Sequence, residues 1–121
     1  GLRFVSRMRR RVVITGLGLI SPVGNTVEEG WANLVAGKSG IDTITRFDAS
    51  GFSCQFAGEV KGFDVSQVLP AKEARRMDRF VHLGLAASIE AIKDCGLEVT
   101  PANAERVGVC GSDLGRTLKR P

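Results

Sequence analysis

The order of apolar and polar residues divides the chain into extended and helical segments. Residues 11–15 form a short β-branched run that ends at Gly16, which predicts an interior strand covered on both faces in an α/β protein. Residues 106–111 predict a second strand. Two segments between these strands have the helical spacing of apolar residues, so the pattern favours an α/β fold.

The first helix is predicted over residues 27–36. Thr26 and Glu29 have the spacing of a capping box, in which the Thr26 hydroxyl accepts a hydrogen bond from a backbone amide of the first turn. Gly37 stands where a left-handed residue ends a helix. One apolar face follows from this spacing, made of Val27, Trp31, Leu34 and Val35.

The second helix is predicted as one element over residues 71–95, ended by Gly96. Small residues on its apolar face, Gly84, Ser88 and Ala91, would let a neighbouring backbone approach closely, so we expect a buried helix. Residues 38–70 lack a sustained period and predict loops with short strands, of which residues 55–60 pair locally. Four phenylalanines of this region are expected to anchor it on the core: Phe47, Phe52, Phe56 and Phe63.

Composition and charge exclude several classes of protein. The 121 residues are 43% hydrophobic and 25% charged, as in soluble globular domains, and the longest apolar stretches are too short to cross a bilayer. The net charge is +4, but basic residues crowd into the first eleven positions. We interpret residues 1–7 as a leader ahead of a native start at Met8, with an organellar transit peptide as the second interpretation. Without this leader 15 basic and 13 acidic residues remain, so no nucleic-acid partner is predicted.

Cysteine and histidine usage predicts no catalytic centre in this chain. Cys54, Cys95 and Cys110 are widely spaced and form no Cys-x-x-Cys motif, which argues against a disulfide framework or a metal site and favours a reducing cytoplasm. Cys95 and Cys110 are expected to be buried, and Cys54 to react first with thiol reagents. His82 is predicted to be solvated or locally hydrogen-bonded, so no catalytic residue, cofactor or metal ligand is assigned.

Two further patterns concern ligands. Gly16-x-Gly18 follows a predicted strand as in dinucleotide-binding proteins, but Ser21 replaces the third glycine, and a tight turn is favoured. Four cations at helical spacing form a predicted basic ridge at the start of the long helix: Lys72, Arg75, Arg76 and Arg79. Cations are unfavourable at a helix N-terminus, which indicates a site for an acidic partner, whereas the alternative is a solvated face partly neutralised by nearby carboxylates.

With these residues placed, the chain resembles the opening segment of the bacterial β-ketoacyl-acyl carrier protein synthase II family. The resemblance covers about residues 9–112 and depends on an ordered set of motifs. They are RRVVITGLG at 10–18, SPVGNT at 21–26, Trp31 with Leu34, AGKSGI at 36–41, Phe47-Asp48, FAG at 56–58, Lys72-Glu73, and RRMD at 75–78 with Phe80.

The resemblance implies the N-terminal part of a thiolase-like layered α/β/α/β/α fold, incomplete in this chain, and a homodimer in the full enzyme. It also implies fatty-acid elongation by decarboxylative Claisen condensation of an acyl-enzyme with malonyl-acyl carrier protein. The family's nucleophilic cysteine and two histidines would lie beyond residue 121, so we expect this chain alone to be inactive. Acyl carrier protein would dock on the positions that match Lys72, Arg75 and Arg76.

The resemblance also sets the expected organisation and leaves two alternatives. Residues 8–112 are expected to belong to the family's N-terminal half, whereas residues 113–121 depart from its glycine-rich continuation and are interpreted as an atypical or foreign tail. Ketosynthases of aromatic polyketide pathways are the nearer alternative, although SPVGNT favours the fatty-acid branch. The other alternative is a small non-catalytic protein that binds an acidic partner.

Overall fold

The computed structural model describes residues 9–111, and the expected leader and tail therefore lie outside the described residues. The elements are α1 (Val27–Val35), β1 (Ile41–Thr43), β2 (Phe56–Gly58), α2 (Ala71–Ala74) and α3 (Arg79–Cys95), with 3₁₀ turns at Val65–Gln67 and Ala104–Arg106. Within residues 9–111 no helix is both long and apolar enough to span a membrane.

Helix α1 is built largely as its sequence predicts. The Thr26 hydroxyl accepts from the Glu29 amide at 3.1 Å, and the Glu29 carboxylate accepts from the Asn25 amide at 3.3 Å, one residue before the amide that a capping box uses. At the other end Gly37 has a φ of 71°, and the Lys38 amide returns to the carbonyl of Asn33 at 2.9 Å. This is a Schellman ending, and it confirms the predicted helix except that α1 ends one residue earlier.

The predicted local pairing is confirmed as an antiparallel ribbon of β1 and β2, with Asp42 opposite Ala57. Glu59, which directly follows β2, forms hydrogen bonds to the loop between the two strands. Its carboxylate accepts from the Thr45 hydroxyl at 2.7 Å and from the backbone amides of Thr45 and Arg46. The hydrogen bond from the Thr45 side chain is the largest of several effects that lower the pKa of Glu59 below its usual value.

The prediction of an interior strand at residues 11–15 and a second strand at 106–111 is wrong for the described part of the chain. Neither segment belongs to a hydrogen-bonded ladder there, and the sheet has two strands. Val12 is 91% exposed and Val109 is 85% exposed. The physical reason is that a strand, unlike a helix, needs a neighbouring chain segment for its hydrogen bonds. The described residues accordingly do not form the expected layers.

Packing is dominated by small residues. In residues 9–111 the buried positions are Gly24, Gly30, Gly40, Ala49 and Ala74. The expectation that four phenylalanines anchor the middle region is wrong for three of them, because only Phe63 is partly buried; Phe47, Phe52 and Phe56 are exposed. The α1 face carrying Trp31, Leu34 and Val35 is exposed as well.

Candidate functional site

The predicted continuous helix over residues 71–95 is wrong, because it is interrupted at residues 75–78. Helix α2 begins after Pro70 and ends at Ala74, and α3 begins after Asp78, whose backbone is extended. Aspartate is a preferred residue just before a helix, although the Asp78 side chain makes no capping hydrogen bond here. The interruption places Arg75 and Arg76 on the connection between the two helices.

The predicted basic ridge therefore does not exist as four side chains on one helical face. Lys72 lies on α2, whereas Arg79 is the first residue of α3. The Arg79 guanidinium lies 5.8 Å from the centre of the Phe63 ring, a cation–π distance, and Arg79 is half-buried. We therefore define the basic surface as the three exposed cations Lys72, Arg75 and Arg76.

Apolar groups lie directly beside these cations. A shallow concavity of about 390 Å³ opens at the connection, lined by Arg75, Arg76, Met77, Asp78, Phe80 and Val81. Met77 and Phe80 are each 38% exposed. Cations beside exposed apolar side chains can attract an acidic surface over a distance and then contact its apolar part. The connection thus combines exposed positive charge with exposed apolar surface.

His82 lies one turn into α3 and faces back towards α2. Its Nε2 is 2.9 Å from the carbonyl oxygen of Ala74, the last residue of α2. The prediction of a locally hydrogen-bonded imidazole is thus confirmed. Sequence reasoning missed its partner, because a helix drawn without interruption leaves no free carbonyl at residue 74.

The glycine-rich segment at residues 16–19 packs against α3 and leaves no place for a phosphate. A side chain on Gly18 would collide with the Ala87 carbonyl, and one on Gly16 would meet Cys95 at 2.7 Å. The amides that a phosphate would need are occupied: Leu17 donates to the Asp94 carboxylate and Leu19 to that of Glu90, both at 3.0 Å. The segment is an extended stretch packed on α3, and no tight turn is formed at residues 16–19.

Glu90 is a structural residue that sequence reasoning missed. The Glu90 carboxylate accepts hydrogen bonds from two backbone amides, that of Leu19 and, at 2.7 Å, that of Val27, the first residue of α1. One carboxylate therefore joins the glycine-rich segment and α1 to α3. The available signal was the pair of carboxylates at residues 90 and 94, which are one helical turn apart. The prediction that this helix is buried is wrong, because no residue of α3 is buried.

The three cysteines differ in exposure. Cys54 is exposed as expected, and its thiol lies 3.4 Å from the Phe56 carbonyl. Cys95 is half-buried, but Cys110 is exposed, so its predicted burial is wrong; the segment that carries it has no strand neighbours. Among residues 9–111 no group of three or more histidine, cysteine or carboxylate side chains is arranged to hold a metal ion.

Comparison with known proteins places these features in a family. The family model described as the β-ketoacyl synthase N-terminal domain matches residues 9–117. The chain belongs to this family. The resemblance predicted from the ordered motifs is thereby confirmed.

Two proteins with the same name are similar to most of this chain. The chain is 56% identical over 108 residues to the protein named 3-oxoacyl-[acyl-carrier-protein] synthase 2 of Vibrio cholerae serotype O1. It is 51% identical to the protein of the same name from Synechocystis, also over 108 residues. In each case the match covers 88% of this chain and 26% of the relative, so the chain spans about a quarter of the length of these relatives.

A solved structure is also similar. The ishigamide ketosynthase/chain length factor matches 74% of this chain and 22% of its own, with a TM-score of 0.65 and 43% identity. The described residues thus have a ketosynthase-like neighbour, although they contain a two-stranded sheet rather than a complete layered fold.

Proposed function

We propose that this chain serves as the N-terminal part of a 3-oxoacyl-[acyl-carrier-protein] synthase that elongates fatty acids. In that reaction an enzyme thiol holds the acyl group as a thioester, and malonyl-carrier protein loses carbon dioxide. The carbon left behind attacks the acyl carbonyl, so that a carbon–carbon bond forms and the enzyme thiol is released. The names and identities of the relatives support this proposal.

Within that enzyme the basic surface of Lys72, Arg75 and Arg76 is the part of the docking site that this chain contributes. The observation that carries the proposal is the exposure of all three cations next to Met77 and Phe80. An acidic helix of acyl carrier protein would approach the cations and contact the apolar side chains. Exposed charges at such a rim act mainly on encounter and orientation, so we expect an effect on substrate capture and not on the chemical step.

The proposal extends to architecture and location. The exposed segments 11–15 and 106–111 would become strands of a thiolase-like layered sandwich once the rest of the synthase supplies their neighbours. The full enzyme would be a homodimer in the cytoplasm that uses malonyl and acyl thioesters. Its high-resolution structure would test this, since residues 11–15 should then pair on both sides.

The docking site is tested by charge reversal in the complete synthase. Replacing Arg75 and Arg76 together by glutamate should raise the KM for carrier-bound substrate by about tenfold, which corresponds to about 1.4 kcal/mol. A small thioester without the protein should react as before. The difference should shrink with salt, because the Debye length falls from about 10 Å at 0.1 M to 3 Å at 1 M.

A matched control reverses two other exposed cations, Lys38 and Arg106, which do not line the concavity at the α2–α3 connection. This control changes the net charge equally and should leave both substrates unaffected. If both pairs of reversals raise KM alike, the effect is one of overall charge. If the Arg75 and Arg76 reversal impairs both substrates equally, the surface is structural and the docking proposal fails.

The isolated 121-residue chain should catalyse nothing. Incubation with acyl-carrier protein should give no acyl-enzyme, and malonyl-carrier protein should release no carbon dioxide, which mass spectrometry and radiometric assays can measure. Stoichiometric acylation of Cys54, Cys95 or Cys110 would contradict this expectation.

The exposed apolar surface argues against a small free-standing protein that binds an acidic partner. Among residues 9–111 no large side chain is fully buried, and Ile14 is 82% exposed. An evolved small domain would bury such residues in its own core. Sedimentation separates the two possibilities, because the chain alone should self-associate, whereas a free-standing domain should be monodisperse.

A ketosynthase of an aromatic polyketide pathway is the second candidate, proposed from the shared sequence motifs. The similarity to the ishigamide ketosynthase/chain length factor supports a ketosynthase in general. Products distinguish the two. A fatty-acid synthase of this kind adds one two-carbon unit and waits for reduction, whereas repeated unreduced extension from malonyl-carrier protein would identify the polyketide enzyme.

A further inference from the structure

The connection between α2 and α3 contains a side-chain hydrogen bond whose position suggests a functional role. Helix α2 has four residues, too few to be stable through its own hydrogen bonds. The last carbonyls of any helix lack partners within the helix. At Ala74 the carbonyl receives a 3.3 Å contact from the Met77 amide and the closer contact, at 2.9 Å, from His82 Nε2.

The chemistry of this contact fixes the form of the imidazole. A carbonyl oxygen only accepts, so His82 Nε2 must carry the hydrogen. The bond crosses the interruption between the two helices, from a half-buried ring on α3 to one of the few buried residues of the described chain, Ala74, which is 8% exposed. It therefore joins α2 to α3.

The bond acts on the basic surface through the peptide plane. The Ala74 carbonyl and the Arg75 amide belong to one planar peptide group. Orienting that carbonyl orients the backbone that bears Arg75 and, directly after it, Arg76. Holding a surface in its bound arrangement before the partner arrives removes part of the ordering cost of binding.

We propose that His82 is a positioning residue for partner docking, which orients α2 and the basic surface through its Nε2–H hydrogen bond to Ala74. This proposal rests on the proposed function, because the partner is the acidic carrier protein of that reaction. The effect of His82 is transmitted through the Ala74–Arg75 peptide, because its Nε2 is hydrogen-bonded to the Ala74 carbonyl.

The test compares two replacements in the complete synthase. His82→Leu removes the donor, and we expect KM for carrier-bound substrate to rise about threefold to tenfold, the range set by the net contribution of one hydrogen bond. The kinetics with a small thioester should stay unchanged. His82→Gln places an amide N–H at a similar reach and should restore most of the binding, whereas the control Ser88→Ala, on the exposed part of the same helix, should have no effect.

Three results would overturn the proposal. They are an unchanged KM in His82→Leu, an equal loss with carrier-bound and small substrates, and a failure of His82→Gln to restore binding. If His82→Leu does not fold, proton NMR of histidine-labelled synthase tests the hydrogen bond on which the proposal depends. An Nε2–H signal protected from exchange and absent in His82→Gln is expected, and its absence from the unsubstituted enzyme would overturn the proposal.

The outcomes also separate this proposal from the proposed function. If reversing Arg75 and Arg76 leaves KM unchanged, the docking function fails, whatever His82 does. If that reversal raises KM but the His82 variants do not, the docking function stands and the positioning role is wrong.

Discussion

Two regions of the molecule satisfy their backbone hydrogen bonds to different degrees. The first region consists of residues 16–35 with α3, and the second consists of the extended segments 11–15 and 106–111. In the first region backbone amides find partners inside the chain, as Leu19 and Val27 do on Glu90. In the second, neither segment has a strand partner within residues 9–111. Exposed apolar side chains occur in both regions, as at Val13 and Trp31. Both regions are rich in apolar residues, so composition does not explain the difference.

Hydrogen-bond geometry explains it. A helix closes its bonds between residues four apart, and its ends can be satisfied by a few side chains. A strand closes its bonds only with another segment, and among residues 9–111 no segment pairs with residues 11–15. A run that is typical of a buried strand therefore stays exposed until a neighbour is supplied.

The largest expected effect is on the exposed strand segment. In the complete synthase Ile14→Ala should lower the free energy of unfolding by about 2–5 kcal/mol, because Ile14 would there be a core residue. In the 121-residue chain alone the same change should cost less than about 0.5 kcal/mol, as for an exposed side chain. Chemical denaturation measures both, and equal costs would remove the contrast between the two regions.

The second prediction concerns the glycine-rich segment at residues 16–19, which belongs to the first of the two regions. Gly18→Ala should destabilise by about 1–3 kcal/mol or more, because its new side chain would collide with the Ala87 carbonyl. Gly51→Ala is a matched control, since a side chain there meets no atom within 4 Å. Similar melting temperatures for the two variants would show that the segment does not pack closely on α3.

Glu90 tests whether a single carboxylate holds the packed region together. Glu90→Ala leaves the amides of Leu19 and Val27 without acceptors and should cost about 1–3 kcal/mol. Glu90→Gln retains one acceptor oxygen and should cost less. Glu98→Ala, at an exposed position beyond α3, should be nearly neutral in the same denaturation experiment; an equal loss would refute the role of Glu90.

The smallest effect concerns Glu59, and its sign follows from the lowered pKa. Since the folded state favours the ionised carboxylate, the stabilisation is present above the unfolded-state pKa and is lost as pH falls through the folded-state pKa. An NMR titration should give a lower pKa for Glu59 than in an unfolded peptide. Thr45→Val should raise it by removing the hydroxyl donor at 2.7 Å, and an unchanged pKa would show that the Thr45 side chain is not the cause.

The basic surface was predicted only in part from the sequence. The spacing predicted a ridge of Lys72, Arg75, Arg76 and Arg79 as a site for an acidic partner, with a solvated face as the alternative, and the first three of these cations are exposed. Their arrangement was not predictable, because the helix spacing of residues 71–95 continues across the interruption at 75–78. The position of Arg79 over Phe63 depends on a contact between residues far apart in sequence.

By itself the sequence determined those features that depend on residues a few positions apart: the cap of α1 at Thr26, the helix ends at Gly37 and Gly96, and the ordered motifs that define the family. Only the tertiary structure decided which amides the α3 carboxylates would accept from. Leu17 and Asp94 are 77 residues apart, and nothing in the local pattern of either selects the other. Local hydrogen bonds are set by backbone geometry within a turn, whereas long-range partners are chosen by how whole elements pack.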